Sequence, residues 1–359
     1  MINQKEISIE WINRVSKANK KADKILVEKV IRALILLEGL VKQKLNFVIK
    51  GGTALMLHFN SAKRLSIDID IILPKEDSGL NDKLDSLVIE QGFLRKELQH
   101  RNPNSKITKK HFKFYYTPFH KSNKTEDYIL LDILFEKIDY KNIVQLPIQS
   151  AFVPIIDNPL LVNLPSLEDI LGDKLTAFAP NTTGIPYFKS ENSMSMEIIK
   201  QLYDIGNLFD KVIDLDIIKD TFYKFAKAEL LYRNIKDCSE QDVVEDIFQT
   251  SLCVASRGVD GEGNFDELQL GIQRIRAYIF SESYHNEKAI IQASKIAYLV
   301  TLIKYEKTEI EKYDKKVQMK DWLIDKPINN KLNKLKKSNP EAFFYWFKIY
   351  EIKKNTQSI

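Results

Sequence analysis

Apolar residues recur at helical spacing between 22 and 44, at Ile25, Leu26, Val30, Ile31, Ala33, Leu34, Leu37 and Leu40. That pattern predicts one helix with a broad buried face. The preceding residues, 1–21, are polar and end in Lys17-Ala18-Asn19-Lys20-Lys21, so they read as an arm with one short helix. The pattern then shortens. Phe47-Val48-Ile49 stops at Lys50-Gly51-Gly52-Thr53, an amphipathic stretch follows, and a charged turn at Lys63-Arg64 leads into Ser66-Ile67-Asp68-Ile69-Asp70-Ile71. Alternation of period two predicts a strand that sends Ile67, Ile69 and Ile71 into the core and Asp68 and Asp70 to the other face. Pro74 ends that run. Residues 81–90 read as a helix closed near Gly92, 93–98 as a strand, and 106–120 as an alternating stretch with His111, Lys113 and Tyr115 against Phe112, Phe114 and Tyr116. A polar loop at 122–126 separates this from 128–135, an almost wholly apolar run interrupted by Asp132. Such a run is a central strand.

Proline-punctuated extended segments occupy 152–165, and beyond Ser166 every long pattern is helical. Ser166 with Asp169 makes an S-x-x-D start for a helix over 167–178. Further helices are predicted over 197–209, 218–232, 242–254, 267–280, 287–305 and 340–352. The lysine-rich segment 304–337 is interleaved with acids and reads as a solvated helical face. The predicted fold class is α+β. A mixed sheet with flanking helices, including the N-terminal helix, occupies 1–165, and an all-helical domain occupies 166–359.

A chain of 359 residues has room for two such cores. Its formal charge of +5 permits a nucleic-acid partner without requiring one. Cys238 and Cys253 lack metal-ligand spacing and fit a reducing compartment. The N-terminus has no apolar signal core, and no apolar run approaches the ~20 residues that span a bilayer. A soluble, cytoplasmic protein without a membrane partner is expected.

Chemistry concentrates at two places. Asp68 and Asp70 on one strand face repel each other and are costly to dehydrate, a cost that a divalent cation usually offsets. The Gly51-Gly52 turn before a helix lets backbone N–H groups approach a phosphate. Oxygen ligands for Mg²⁺ beside a phosphate cradle make up a nucleotide-handling site. Asp132, within an apolar strand, is either part of that site or a structural acid paired with a lysine or a backbone N–H.

The order GGT then DID resembles the GG/GS…DxD signature of the nucleotidyltransferase superfamily related to DNA polymerase β. The fuller wording, K-G-G-T-A-L then R-L-S-x-D-x-D, resembles the AbiEii/AbiGii family of nucleotidyltransferase toxins. Two helices extend the likeness: Ser166-Leu167-Glu168-Asp169-Ile170-Leu171-Gly172-Asp173-Lys174-Leu175 and Met196-Glu197-Ile198-Ile199-Lys200-Gln201-Leu202-Tyr203-Asp204. The chain departs from the family at Lys200 and Gln201, where an arginine and a second acid are more usual, so Gln201 is left out of the expected site.

The resemblance implies a polymerase β-like head in which Asp68, Asp70 and Asp132 hold two Mg²⁺ ions, with Mn²⁺ as a substitute. It implies that Gly51, Gly52 and Thr53 cradle the phosphates of an NTP. Lys174 and Asp204, from the helical domain, would complete the site, either on the triphosphate or as a structural pair. Arg64 is left open between a phosphate or acceptor contact and a solvated turn. The implied biology is the toxin of a toxin–antitoxin or phage-defence system with a separately encoded antitoxin. The preferred acceptor is RNA, such as the tRNA 3′ end, with Lys106, Lys109, Lys110 and His111, and residues 331–337, as candidate phosphate contacts. Two rival functions share these residues: nucleotidylation of an antibiotic-like small molecule, and an inactive module that binds nucleotide or antitoxin.

Overall fold

A computed structural model describes residues 1–59, 63–99, 108–120 and 125–357. Lys106 of the first basic patch and 122–124 of the polar loop lie outside the described residues. The chain divides into two compact units, Met1–Ser166 with Ala277–Ser283, and Leu167–Arg276 with Tyr284–Ile359.

The first unit runs α1 (Ile9–Ala18), α2 (Lys24–Lys42), β1 (Val48–Lys50), α3 (Gly51–Phe59), β2 (Ile69–Leu73), α4 (Leu80–Glu90), β3 (Arg95–Gln99), β4 (Thr108–Tyr116), β5 (Asp127–Phe135), β6 (Ile143–Pro147) and β7 (Leu161–Pro165). A five-stranded sheet has the order β1-β2-β5-β4-β3. The β2–β5 pair is parallel and the other pairs are antiparallel. The apolar run 128–135 is therefore a central strand, flanked on both sides. Ile129, Leu131 and Ile133 are buried on one face of β5, where Phe114 and Phe112 stand opposite Ile129 and Leu131. Helices α2 and α4 pack against this sheet, and the apolar stripe of α2 is buried from Val27 to Leu40.

The N-terminal arm carries the expected short helix, α1, and is packed. Ser8 caps α1 by accepting from the Trp11 N–H, Ile12 and Val15 are buried, Ile2 bridges to Ile155, and the Trp11 indole donates to the Phe152 carbonyl at 2.9 Å. Strand β2 starts at Ile69, so Asp68 lies just ahead of the sheet. The stretch leading into it is tied down from both sides: the Leu65 N–H donates to the Tyr278 carbonyl at 2.8 Å, and the Thr53 hydroxyl donates to the Asp68 carbonyl at 2.8 Å.

The second unit runs α5 (Leu167–Ala177), the hairpin β8 (Phe188–Lys189) and β9 (Asn192–Ser193), α6 (Ser195–Phe209), α7 (Leu215–Tyr232), α8 (Glu240–Ala255), α9 (Phe265–Arg274), α10 (Asn286–Lys304), α11 (Leu335–Ser338) and α12 (Pro340–Gln357). Helix α10 is buried almost throughout and packs on α6, α8 and α12. Phe209 meets Tyr345 edge-to-face at 5.3 Å, a favoured aromatic geometry.

The predicted helical face at 304–337 is largely irregular between Tyr305 and Asn329. Its apolar residues lack a helical period and act as separate anchors: Ile324 is fully buried, and Trp322 stacks on Phe347 with ring centroids 4.3 Å apart. The protein is thus α+β, a mixed sheet followed by a helical region. No helix among the described residues is long and apolar enough to cross a membrane.

Candidate active site

The end of β1 sets the site. Lys50 is the register partner of Asp70, and α3 begins at the next residue. Gly51 has φ +74°, and a Cβ placed there would lie 2.3 Å from Asp70 Oδ2. A Cβ on Gly52 would lie 2.5 Å from Ser66 Oγ and 3.0 Å from Arg64 Nη2. The two glycines therefore make room for the chain's own carboxylate, hydroxyl and guanidinium, a reason for Gly-Gly that the phosphate-cradle reading did not contain. Gly51→Ala is expected to lower activity about 100-fold, because a displacement of about 1 Å at a reacting group has that effect. The left-handed backbone would add about 1–2 kcal/mol of destabilisation. Steady-state rates and urea unfolding, run on the same preparation, check both; wild-type rates would show that Asp70 need not stay where it is.

Across the sheet, register aligns Lys50, Asp70, Asp132 and His111 in one row. Residues directly opposite on neighbouring strands point to the same face, and strands lie about 4.8 Å apart. Asp70 and Asp132 are half-buried neighbours there, and His111 Nδ1 is 2.7 Å from Asp132 Oδ1. Asp68, also half-buried, sits two residues ahead of Asp70 and is held through its carbonyl by Thr53. Thr53 is buried, and its hydroxyl lies 3.3 Å from Ser66 Oγ. A carbonyl only accepts, so the Thr53 proton is committed to Asp68; the expected donation to a phosphate gives way to pinning the strand entry. Arg64 is buried at 8 % exposure and donates to the Leu65 carbonyl at 3.2 Å, which removes the solvated-turn alternative.

In the second unit Lys174 of α5 and Asp204 of α6 form a buried ion pair at 2.9 Å. The Lys174 ammonium also donates to Gln201 Oε1 at 3.1 Å. Gln201 was excluded from the expected site, although its position three residues before Asp204 places both on one face of α6. Lys200 pairs instead with Glu197 at 3.2 Å.

The basic patches disperse. Lys110 pairs with Glu76, His111 is taken by Asp132, and Lys109 is exposed. In the second patch Lys336 donates to the Lys320 carbonyl at 3.0 Å, while Lys331, Lys334 and Lys337 are exposed.

The sequence model of the family described as Nucleotidyl transferase AbiEii toxin, Type IV TA system, matches residues 35–274, well over half of the chain. The chain belongs to the AbiEii nucleotidyltransferase toxins. The matched region contains Lys50 through Asp204, and with them the carboxylate row, the glycine turn and the Lys174–Asp204 pair. A Helicobacter pylori protein provisionally described as a nucleotidyltransferase is a structural neighbour at 15% identity and TM-score 0.44, covering 79% of this chain and 96% of its own. JHP933 from Helicobacter pylori is another, at 15% identity and TM-score 0.42, covering 78% and 90%. Neither carries the assignment, which rests on the family match. No curated protein matches the chain. Membership makes the toxin a nucleotidyltransferase with an NTP substrate, belonging to a toxin–antitoxin system.

Enzymes of this kind usually employ a divalent metal, and the residues present fit one. Among the described residues no three His, Cys, Asp or Glu side chains converge as a ready-made cage. Mg²⁺ seldom needs one, being commonly held by one or two carboxylates together with water and substrate phosphates. Two half-exposed carboxylates side by side on one sheet face are that kind of donor set.

Proposed function

We propose that this toxin transfers a nucleoside monophosphate from an NTP to a hydroxyl at the 3′ end of an RNA, with tRNA as the preferred class. The observation that carries the reading is the placement of Asp70 and Asp132 as register partners beside the Gly51 turn. The acceptor oxygen attacks Pα, the bond from Pα to the bridging oxygen breaks, and pyrophosphate leaves. Asp68, Asp70 and Asp132 would hold a pair of Mg²⁺ ions, which supply charge neutralisation to the attacking and leaving oxygens. Asp132 takes up the hydroxyl proton. Lys50, opposite Asp70, and Arg64, against Gly52, place positive charge around the carboxylates and the turn. Gly51 and Gly52 open α3, whose first backbone N–H groups have no partner within the helix and suit a phosphate. Lys174, oriented by Asp204 and Gln201, serves as a cation for the triphosphate. Exposed Lys109, Lys331, Lys334 and Lys337 support an RNA acceptor through phosphate contacts.

The acceptor is tested with α-³²P-NTP and Mg²⁺ on two samples of one tRNA, one with an intact 3′ diol and one oxidised by periodate. Label on the intact RNA alone supports the reading. Label on added protein or on a small aminoglycoside-like alcohol, with none on either RNA, would replace the RNA acceptor.

A further inference from the structure

We propose that His111 is the positioning residue of the carboxylate row: it fixes one oxygen of Asp132 so that the other is presented for cation binding. The inference rests on the reading of Asp132 as part of the site, and it removes His111 from the RNA-contacting group in which its lysine-rich neighbourhood had placed it.

Three observations carry it. His111 and Asp132 are direct register partners across β4 and β5, so the backbone ladder rather than a chance side-chain excursion brings them together. Nδ1 lies 2.7 Å from Oδ1, and because a carboxylate oxygen only accepts, Nδ1 is the donor. The ring is well packed, its side chain 14% exposed, while the carboxylate remains open at 35%. The more enclosed partner thus holds the more accessible one. Only Oδ1 is engaged in this bond.

The neighbouring lysines have other roles. Lys110 belongs to the adjacent position of β4, on the opposite sheet face, and pairs with Glu76. Lys109 shares a face with His111 and is exposed. A cluster that reads as uniformly basic in sequence therefore divides in the sheet: a positioning imidazole, a structural ion pair and a solvent-facing lysine.

A side chain that orients a metal-binding group typically contributes about 10–100-fold to metal affinity or activity. Mn²⁺ serves as the probe, titrated into the full chain and read by electron paramagnetic resonance of the free ion. Wild type, Asp132→Ala, His111→Leu and His111→Asn are compared, because the asparagine Nδ2–H stands close to where the imidazole Nδ1–H was. His111→Leu is expected to weaken Mn²⁺ binding at least about tenfold, and His111→Asn to restore it to within about threefold of wild type. Thermal melts of the same samples show that each is folded.

Wild-type Mn²⁺ affinity in His111→Leu would overturn the inference, as would His111→Asn behaving like His111→Leu. A raised KM for RNA with unchanged Mn²⁺ affinity would also overturn it, returning His111 to the acceptor side. Unchanged Mn²⁺ binding in Asp132→Ala is a separate failure: it would remove the carboxylate-site reading itself, and this inference with it.

Discussion

Asp70→Asn is expected to reduce nucleotidyl transfer by at least about 1,000-fold, equivalent to about 4 kcal/mol of transition-state stabilisation at 1.36 kcal/mol per decade. The side chain stands between Lys50 and Asp132 in the sheet register and is half-exposed, so the amide has room in the same place. What it lacks is charge. The loss should therefore fall on kcat/KM and on the metal concentration needed for activity, while the thermal midpoint stays close to wild type. Steady-state rates against Mg²⁺ concentration, with a melt on the same sample, check both parts. A variant with wild-type turnover would take the carboxylate row out of the chemistry.

The second large effect is in the helical unit. Asp204→Ala leaves the Lys174 ammonium, 7% exposed, with Gln201 as its remaining partner in this cluster. Removing one member of a buried ion pair destabilises by about 3–5 kcal/mol, and urea unfolding should show a loss of that order. Stability alone does not separate a structural pair from a functional one. The double variant Lys174→Met with Asp204→Leu does, since replacing a buried pair by apolar groups of similar size is often neutral or stabilising by about 1–4 kcal/mol. The proposed role of Lys174 on the triphosphate predicts a stable double variant with at least about 100-fold less transfer, about 2.7 kcal/mol. A stable and active double variant would make the pair purely structural.

Much of this architecture is local and was legible along the chain. The alternation at 66–71 and the apolar run at 128–135 announce their strands, and the long helices of the second unit follow their apolar stripes to within a few residues. The row from Lys50 to His111 is different. It depends on β2 pairing in parallel with β5 and on β4 joining the far side, a non-local order that no single segment contains. Hence His111 read as one of several basic residues, and Lys50 as the end of a strand.

Other departures have similar causes. Ile2, Ile12 and Val15 are too sparse to announce a packed segment, and their partners near Phe152 and Ile155 are far away in sequence. Nothing local marks Ala277–Ser283 as part of the first unit. Thr53 follows two glycines in the order expected of a phosphate loop, yet its hydroxyl meets a carbonyl fifteen residues away. Gln201 shows the opposite case: helical spacing puts it beside Asp204, and its amide oxygen accepts from Lys174 although the acid more usual at this position is missing.

Paired reactions of wild type and Asp70→Asn with α-³²P- and γ-³²P-labelled NTP, Mg²⁺ and total cellular RNA decide whether the carboxylate row performs nucleotidyl transfer. The expected result is label on RNA from the α-phosphate only, γ-label recovered in pyrophosphate, and neither with Asp70→Asn. Transfer of γ-label to the acceptor, or no transfer by wild type despite NTP binding, would contradict it.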